Sequence, residues 1–414
     1  MLPYRHKEVN RPMTAQQTIL IVGAGLIGTS FALSVKDHNI AIHIVENHLP
    51  TITTSSSDNA RPISLSYGSV QILKAIGVWD ALDTLACPIL SVHVSEQGRF
   101  GSTRFRATEE KVPALGYVVP YSALQAALYH HAANQPNITI SSIETIDAIH
   151  THDDHITLVI TQQNHSKSLQ ADLLVAADGT NSTCRHLLHI DSTEKNDGDI
   201  ARIFQLTLSA PHDHTAYERF TPHGVLAVLP LHDKNRAQLV WTIASSVSEK
   251  IQDWDDTAIL SFLQNAFENR IAITHAKKIT QFPLNTTLAE KQIAKRAVLL
   301  GNAAHTIYPV AAQGFNLGLH DIGVLSDVIT EALHRHKPIG DETILKKYET
   351  EIASHQKIIF GITDQLTSLF ALPFIGSLRG LGLLSMDLLS PLKKNLAKRT
   401  MGITRLPNVL RRKR

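Results

Sequence analysis

The order of apolar and polar positions near the start of the chain predicts a strand, a helix and a second strand. Ile19 to Val22 is an uninterrupted apolar run, which indicates a strand buried on both faces. A helix is predicted from Thr29 to about His38, and a second strand from Ala41 to Val45. This order is typical of the βαβ unit of a parallel sheet.

Further along, alternating apolar and polar positions predict antiparallel strands, and two apolar runs, Asp172–Ala177 and Ala297–Leu300, return to the parallel sheet. The alternating segments are Ile89–Val94, Gly101–Phe105, Asn137–Ile149, His155–Ile160, Phe204–Leu208, Ala216–Thr221, Gly224–Pro230 and Gln238–Ile243. Helices are predicted at Ser69–Ile76, Ser122–Ala133, Asp256–Phe267, Gln313–His334 and Thr343–Phe360. This order indicates one nucleotide-binding domain interrupted by a second, sheet-rich domain.

A glycine-rich turn follows the first predicted strand. Gly23 lets the chain turn sharply, Gly25 leaves the backbone open to a diphosphate, and Gly28 lets the helix pack close to the strand. The N-terminus of the helix offers N–H groups and a partial positive charge to phosphates. Glu46, at the end of the second strand, is placed to accept hydrogen bonds from the ribose hydroxyls of an adenosine. Together these features predict a dinucleotide site.

Composition is that of a globular protein with an unusual tail. Hydrophobic residues make up 43% and charged residues 18% of the chain, and no apolar run predicts a membrane-spanning helix or a secretory signal. Two cysteines without metal-ligand spacing indicate a reducing compartment, so we expect a cytoplasmic protein. The net charge is +2, yet Asp387–Arg414 holds nine Lys or Arg and one Asp. This segment predicts either peripheral contact with an acidic surface, such as the inner membrane, or a solvated terminus.

Two later stretches also suit a bound cofactor. Asp178 and Gly179 follow one buried strand, and Gly301 and Asn302 follow another. The segment Gln313–Asn316 then opens a long helix. Small residues let the backbone run flat along a planar ligand, and the N-terminus of a helix can stabilise negative charge on that ligand.

In this order the three motifs resemble those of the FAD-dependent aromatic hydroxylases of ubiquinone biosynthesis, which have the p-hydroxybenzoate hydroxylase fold. The segments Arg61–Ser66 and Gln313–Asp321 are similar to sequences of this ubiquinone branch. The segment Glu218–Pro230 is similar to the 2-polyprenyl-6-methoxyphenol hydroxylases in particular. The resemblance covers about Thr18 to Gly402.

The resemblance implies an α/β fold with two interleaved domains and C-terminal helices. A Rossmann-type, three-layer FAD-binding domain is interrupted by a mixed or antiparallel-sheet substrate domain. The FAD-binding domain is expected at 18–85, 115–190 and 289–335, and the substrate domain at 86–114 and 191–288. The C-terminal helices and the basic tail are expected at 336–414.

The resemblance also implies which residues contact FAD. The ADP half is expected on Gly23, Gly25, Gly28 and Glu46. The diphosphate or flavin is expected near Arg61, and both FAD and NAD(P)H near Asp178 and Gly179. The ribityl chain is expected by Gly301 and Asn302, and the flavin ring along Pro309, Gln313, Gly314 and Asn316.

Three positions depart from the family pattern. Asn302 stands where the wider family has Asp, which removes a charge but keeps an acceptor for a ribityl hydroxyl. Tyr308 stands where this branch often has His, and Ala312 where it often has Gly. None of the three removes a group that the chemistry needs, so FAD binding is still expected.

The activity implied by the resemblance is hydroxylation of a polyprenylated phenol by O₂, with NAD(P)H as the reductant and FAD as the group that carries the oxidising chemistry. The ring reacts ortho or para to its hydroxyl, so an acceptor for the hydroxyl proton would make the ring more nucleophilic. The sequence does not reveal that acceptor. His223 and Tyr217, in the sheet-rich domain, are the candidates.

Other classes of function are either disfavoured or left open. The pairs His212/His214 and His334/His336 have no third ligand at useful spacing, so no metal site is predicted. No nucleic-acid motif accompanies the basic tail, and the Trp-x-Trp-x-Ile-Pro stretch usual in halogenases of this fold does not occur. Three alternatives stay open: a sister enzyme acting at another ring position, an oxidase acting on a soluble substrate, and a flavin-bound scaffold of a ubiquinone-biosynthesis complex.

Overall fold

The computed structural model describes residues 16–50, 62–99, 101–307, 313–371 and 390–403. Its strands are β1 Gln17–Val22, β2 Ile40–Glu46, β3 Pro62–Ser66, β4 Cys87–Ile89, β5 Ser91–Glu96, β6 Ser102–Arg106, β7 Gly116–Pro120, β8 Ile138–Ser142, β9 Thr145–Thr151, β10 Ile156–Gln162, β11 His165–Ala171, β12 Leu173–Ala176, β13 Ser192–Lys195, β14 Ile200–Leu208, β15 Thr215–Thr221, β16 Gly224–Pro230, β17 Arg236–Ile243, β18 Ile273–Pro283, β19 Thr286–Ala289, β20 Ile293–Ala294, β21 Ala297–Leu299 and β22 His305–Thr306. Its α-helices are α1 Leu26–Ser34, α2 Tyr67–Ala75, α3 Ala107–Glu110, α4 Tyr121–Ala133, α5 Thr183–Leu187, α6 Ser245–Ser248, α7 Asp256–Phe267, α8 Gln313–His334, α9 Glu342–Ala371 and α10 Ser390–Thr400. Short 3-10 helices lie at Trp79–Ala81, Asp83–Leu85, Glu249–Ile251, Glu268–Arg270 and Gly301–Ala303.

A six-stranded sheet in the order β20-β21-β12-β1-β2-β8 forms the centre of one half of the molecule. Strand β1 runs parallel to both β12 and β2. Ile19 and Ile21 pack among the helices α1, α4 and α8, whereas Leu20 and Val22 pack on the other face against β10. Because β1 is buried on both faces, an uninterrupted apolar run forms this strand.

The second face of the parallel sheet is covered by the antiparallel sheet β11-β10-β9, so helices, parallel sheet and antiparallel sheet form three layers. A further small sheet, β3-β7-β4, joins the same core through Leu65 and Val119. We call these elements together the parallel-sheet half. The predicted fold class, a three-layer α/β domain combined with a mixed-sheet domain, is confirmed.

A seven-stranded sheet in the order β18-β14-β17-β16-β15-β5-β6 forms the large-sheet half. Its neighbouring strands are antiparallel except for β15 and β5, which run parallel. Helix α7 packs across one face, where its Leu263 lies in one apolar cluster with Phe204, Leu239 and Trp241. Because successive side chains of a strand point to opposite faces, the residues between those of this cluster face the other side of the sheet.

Most predicted elements lie near their expected positions, and two differ. Helix α1 begins at Leu26, directly after Gly25, rather than at Thr29. The single strand expected over Asn137–Ile149 is wrong, because β8 pairs with β2 in the parallel sheet and β9 pairs with β10. The segments expected to be antiparallel in the large sheet are antiparallel within their groups, and β15 also pairs in parallel with β5, which makes the sheet mixed.

The C-terminal helix α10 packs on the rest of the molecule. Ala397 and Met401 are buried in a cluster with Ala107 and Leu115. The Gly68 N–H donates a hydrogen bond of 2.8 Å to the Met401 carbonyl. The described part of the basic tail is therefore a component of the fold and not a solvated terminus.

Candidate functional site

In the turn between β1 and α1, the backbone comes so close to neighbouring segments at two positions that only glycine fits there. Gly23 has φ +108°, and a Cβ at this position would lie 2.4 Å from the carbonyl oxygen of Ala177, just after β12. A Cβ on Gly28 would lie 1.9 Å from the carbonyl oxygen of Gly23. These distances are too short for any side chain, so the two glycines determine how closely β1, β12 and α1 approach one another.

Gly25 has a different environment. A Cβ added at Gly25 would meet no atom within 4 Å. Gly25 is also the N-cap residue of α1, and no side chain in the described part of the protein caps this helix. The open space beside Gly25 therefore lies at the first turn of α1, whose N–H groups suit a diphosphate. This geometry fits the ADP half of FAD.

Glu46 ends β2 beside the same turn. Its Oε2 accepts a hydrogen bond from the Ala24 N–H at 2.8 Å, and its Oε1 accepts one from the His48 N–H at 3.0 Å. The carboxylate therefore supports the glycine turn and also stands where a ribose is expected. The spacing in the sequence indicated only the second role.

Asp178 and Gly179 form the turn after β12. Asp178 accepts hydrogen bonds from the Ser182 hydroxyl at 2.6 Å and from the Cys184 N–H at 3.0 Å. Gly179 has φ +87°, and nothing lies within 4 Å of where its Cβ would be. Asp178 thus orders the turn at the start of α5, and Gly179 leaves the surface of that turn open to a ligand.

Arg185 joins this turn to the loop that follows β21 at Gly301–Ala303. Sequence analysis missed this role. The Arg185 side chain is 1% exposed, and its Nη1 donates to the carbonyls of Thr180 and Ala303, each at 3.0 Å. The two hydrogen bonds hold the two loops at a fixed separation, because breaking either one would leave a buried, charged N–H group without an acceptor. The sequence places an Arg on the helix after Asp178, but spacing alone does not show what it contacts.

The loop at Gly301 lies against the first turn of α1. A Cβ on Gly301 would lie 2.7 Å from Ile27 Cγ1, and one on Gly318 would lie 2.6 Å from Ile27 Cδ1. Ile27 of α1 therefore fills the gap between the loop and α8. Asn302, the next residue of the loop, is exposed, so its amide can meet a ligand.

The start of α8 is tied to β3. The Asn316 Oδ1 accepts a hydrogen bond from the Ser66 N–H at 2.8 Å, and its Nδ2 donates to the Ser64 carbonyl at 3.1 Å. The Asn316 side chain is therefore used to hold β3 in place. Gly314 is half-buried, and Gln313 is the first residue of α8. Arg61, Tyr308, Pro309 and Ala312 lie outside the described residues, as does the side chain of Gln313.

A buried carboxylate fixes the end of the same loop to two helices. Asp321 of α8 is fully buried and accepts hydrogen bonds from His305 Nε2 and from Gln356 Nε2 of α9, both at 2.8 Å. His320 Nδ1 lies 3.7 Å from the other carboxylate oxygen, and its ring stacks on His355. Burial alone would raise the pKa of Asp321, but the hydrogen bond from His305 and the approach of His320 outweigh burial and hold the pKa at about 2.

The structure places both candidate acceptors for the phenol proton beside α7. The Tyr217 hydroxyl donates to the Arg270 carbonyl at 2.9 Å, and its ring contacts Phe267 edge to face. The His223 ring contacts Trp254 and Phe262 edge to face. These contacts place both side chains on the α7 side of the large sheet.

Within the described residues, no group of three or more His, Cys, Asp or Glu side chains is arranged to hold a metal ion. His212 and His214 contact each other edge to face. His212 Nε2 is 2.9 Å from the Leu231 carbonyl, which it meets as a hydrogen-bond donor.

The Asp321 network predicts how stability depends on pH. The pKa of about 2 in the folded protein lies below the ordinary value of 3.8. The ionised carboxylate therefore stabilises the fold above pH 3.8, and this stabilisation is lost as the pH falls through about 2. Asp321→Asn should remove roughly 2 kcal/mol of unfolding free energy at pH 7 and flatten the acid limb of the stability curve.

Urea unfolding across a pH series measures both effects. Asp213→Asn, at an exposed position, is the matched control and should leave the curve unchanged. An Asp321→Asn protein with the stability and acid limb of the wild type would show that the buried pair contributes nothing to the fold.

Comparisons with known proteins agree with this geometry. The family described as FAD binding domain matches residues 16–360. The chain is 29% identical over 395 residues to the 3-demethoxyubiquinol 3-hydroxylase of Escherichia coli (strain K12), which covers 94% of this chain and 100% of that protein. It is 27% identical over 398 residues to the ubiquinone hydroxylase UbiM of Neisseria meningitidis, which covers 94% of this chain and 86% of that protein.

Solved structures show the same fold. The p-nitrophenol 4-monooxygenase PnpA of Pseudomonas putida DLL-E4 matches with a TM-score of 0.71 at 14% identity, covering 94% of this chain and 100% of that one. The predicted membership of the FAD-dependent hydroxylases of ubiquinone biosynthesis is confirmed, as are the FAD cofactor and the enzymatic role. The chain belongs to the FAD binding domain family and is an FAD-dependent monooxygenase.

Proposed function

We propose that this monooxygenase hydroxylates the aromatic ring of a polyprenylated phenol in ubiquinone biosynthesis, with NAD(P)H and O₂ as co-substrates. The observation that carries the proposal is the end-to-end similarity to a 3-demethoxyubiquinol 3-hydroxylase, whose whole length is matched. The segment Glu218–Pro230, which is similar to the 2-polyprenyl-6-methoxyphenol hydroxylases, supports the same substrate class. FAD, when bound, supplies the chemistry that moves one oxygen atom of O₂ to the ring.

The residues of this chain bind and orient the reactants. Gly25 and the first turn of α1 receive the diphosphate, and Glu46 receives the ribose. Asn302 offers its amide to the ribityl chain, and the N-terminus of α8 stabilises negative charge on the flavin ring. Arg185 keeps the two loops that meet the cofactor at a fixed separation, because it donates to the carbonyls of both.

The decisive experiment is an analysis of quinone intermediates in a strain that lacks this protein. Accumulation of one polyprenyl phenol that lacks a single hydroxyl supports the proposal and identifies the ring position, which separates this enzyme from its sister hydroxylases. An unchanged quinone pool contradicts the proposal. A variant without FAD that still restores the pool would instead support the scaffold alternative.

Gly25→Val is predicted to abolish FAD binding without unfolding the protein. The added methyl groups would fill the open space beside the first turn of α1, where the diphosphate is expected, and would clash with no described atom at the Cβ position. The purified variant should be colourless, while wild type releases FAD and not FMN on denaturation. The thermal melt of the two apoproteins is the control, and a yellow, FAD-loaded variant would contradict the assignment of Gly25.

We also propose a cytoplasmic enzyme with peripheral contact at the inner membrane through its basic C-terminal segment. No helix in the described ranges is long and apolar enough to cross a membrane. Lys394 and Lys398 are exposed on α10, whereas Ala397 faces the protein. An anionic lipid surface attracts such exposed lysines by about 1 kcal/mol each. The leucines Leu388 and Leu389 lie outside the described residues.

Charge reversal tests this contact better than truncation, because deleting Asp387–Arg414 would also remove the buried Met401. Lys394→Glu combined with Lys398→Glu should lower co-sedimentation with anionic vesicles, most strongly at low ionic strength, because screening is weakest there. Lys277→Glu combined with Lys291→Glu, at exposed sites elsewhere, is the control. Binding that is absent in wild type, or insensitive to salt and to the α10 charges, would argue against membrane contact.

A further inference from the structure

Strand β15 directs alternate side chains to opposite sides of the large sheet. Tyr217 contacts Phe267 of α7, and Arg219 donates through Nε to the Ala266 carbonyl of the same helix at 2.7 Å. Residues on either side of Glu218 therefore both face α7. Because successive side chains of a strand alternate, Glu218 faces the other side, which we call the open face.

One end of the open face packs on the parallel-sheet half. Ala216, two residues before Glu218, lies in an apolar cluster with Cys87 and Val118 of the β3-β7-β4 sheet. Its neighbours on the open face, Val92 and Leu229, pack against the same cluster. The open face is therefore the side of the large sheet that is directed towards the parallel-sheet half.

This small sheet is also bound to the candidate flavin site. Strand β3 pairs with β7, and the Asn316 side chain at the start of α8 bonds to the backbone of Ser64 and Ser66 in β3. The start of α8 is the segment expected along the flavin ring. The contact of Ala216 with this sheet thus places the open face next to the element that borders the flavin.

The next row of the open face is an apolar wall with one carboxylate. In register, Val94 pairs with Glu218, Glu218 with Ala227, and Ala227 with Val240. This row lies about 7 Å beyond the packed row, since two residues of a strand span that length. All four side chains are half-buried, whereas Leu226 and Val228, their neighbours on the α7 face, are 0% and 1% exposed. Phe220, one row further, is buried and borders the wall on its far side.

We propose that Glu218 is the residue that accepts the hydrogen bond of the phenol hydroxyl of the substrate, a proposal that rests on the proposed function. The Val and Ala side chains of this row suit an apolar prenylated ring, and the carboxylate of Glu218 among them suits the hydroxyl of that ring as a hydrogen-bond acceptor. Tyr217 and His223, the candidates from the sequence, contact the α7 side, so they are not in a position to meet the same hydroxyl.

Glu218 would assist hydroxylation of the ring by taking up the proton of the phenol hydroxyl. A phenol has a pKa of about 10, so at neutral pH its hydroxyl keeps its proton unless an acceptor takes it up. Glu218 receives that proton as the ring carbon ortho or para to the hydroxyl forms its bond to the incoming oxygen atom. The ring carbon then loses its hydrogen as a proton, aromaticity returns, and Glu218 gives its proton back to the ring oxygen. One oxygen atom of O₂ ends in the new hydroxyl, and the other leaves as water, which takes up the proton lost by the ring carbon. NAD(P)H supplies the two electrons, and the carboxylate ends unchanged.

Glu218→Gln tests this role, because it keeps the shape of the side chain and removes the acceptor charge. The probe is 2-geranyl-6-methoxyphenol, and the readouts are product formed per NAD(P)H consumed, kcat, KM and FAD content. We expect product formation to fall by about 100-fold, as for loss of a general base, with FAD content unchanged. Glu218→Asp should restore part of the activity. Product formation by Glu218→Gln should recover as the pH approaches about 10, where the phenol ionises in solution.

Glu96→Gln is the matched control, because Glu96 lies on the neighbouring strand β5 and pairs with Phe220, one row beyond Glu218. It should retain wild-type coupling. Wild-type product yield in Glu218→Gln, or loss in Tyr217→Phe or Glu96→Gln instead, would overturn the assignment of Glu218. If wild type itself forms no product from the probe, the proposed function fails, and that outcome is distinct from failure of Glu218 alone.

Discussion

The site depends on how closely α1 approaches the turn that precedes it. The carbonyl oxygen of Gly23 occupies the position that a side chain on Gly28 would need, and Ala177 blocks any side chain on Gly23 itself. This contact fixes the N-terminus of α1 relative to both β1 and β12. Glu46 then bonds to the Ala24 N–H, so the acid that is expected to meet the ribose also supports the turn. The diphosphate site expected at this turn would be made of backbone atoms, and such a site requires rigidity because no side chain in the turn can adjust to the ligand.

Three buried polar side chains extend this rigidity to segments that lie far apart in the sequence. Arg185 joins the turn after β12 to the loop after β21, Asp321 joins that loop to α8 and α9, and Asn316 joins α8 to β3. Each side chain makes at least two hydrogen bonds, which is the condition under which a buried polar group stabilises a fold. Hydrophobic packing alone would hold these segments together but would allow them to slide, since apolar contacts have little directionality. These hydrogen bonds therefore determine the distances between the loops that are expected to contact the cofactor.

Local patterns in the sequence predicted most of the elements and a dinucleotide site, and the resemblance to a known family then predicted the fold class and FAD. The apolar run before Gly23 and the periodicity of Gln313–His334 gave β1 and α8 close to their observed bounds. The division of Asn137–Ile149 between two sheets could not be predicted, because pairing partners of strands are distant in sequence. The contacts of Arg185 and Asp321 were missed for the same reason. Both partners of each contact are visible in the sequence, but only the fold brings them together.

The proposed role of Glu218 differs from the candidates that the sequence offered, because side-chain chemistry alone does not show which side of a strand a residue faces. Tyr217 lies on β15, where successive side chains point to opposite faces, and its contact with Phe267 places it on the α7 face. His223 lies in the turn between β15 and β16, and its ring contacts Phe262 of α7. On the α7 face the core is closed, so a substitution there would leave a cavity or an overpacked contact. On the open face Val94, Ala227 and Val240 are only half-buried, so their size can change with little loss of stability. One face of the large sheet therefore holds the fold. Under the proposed role of Glu218, the other face can change its clearance for a ring with little loss of stability, because its side chains are not part of the closed core.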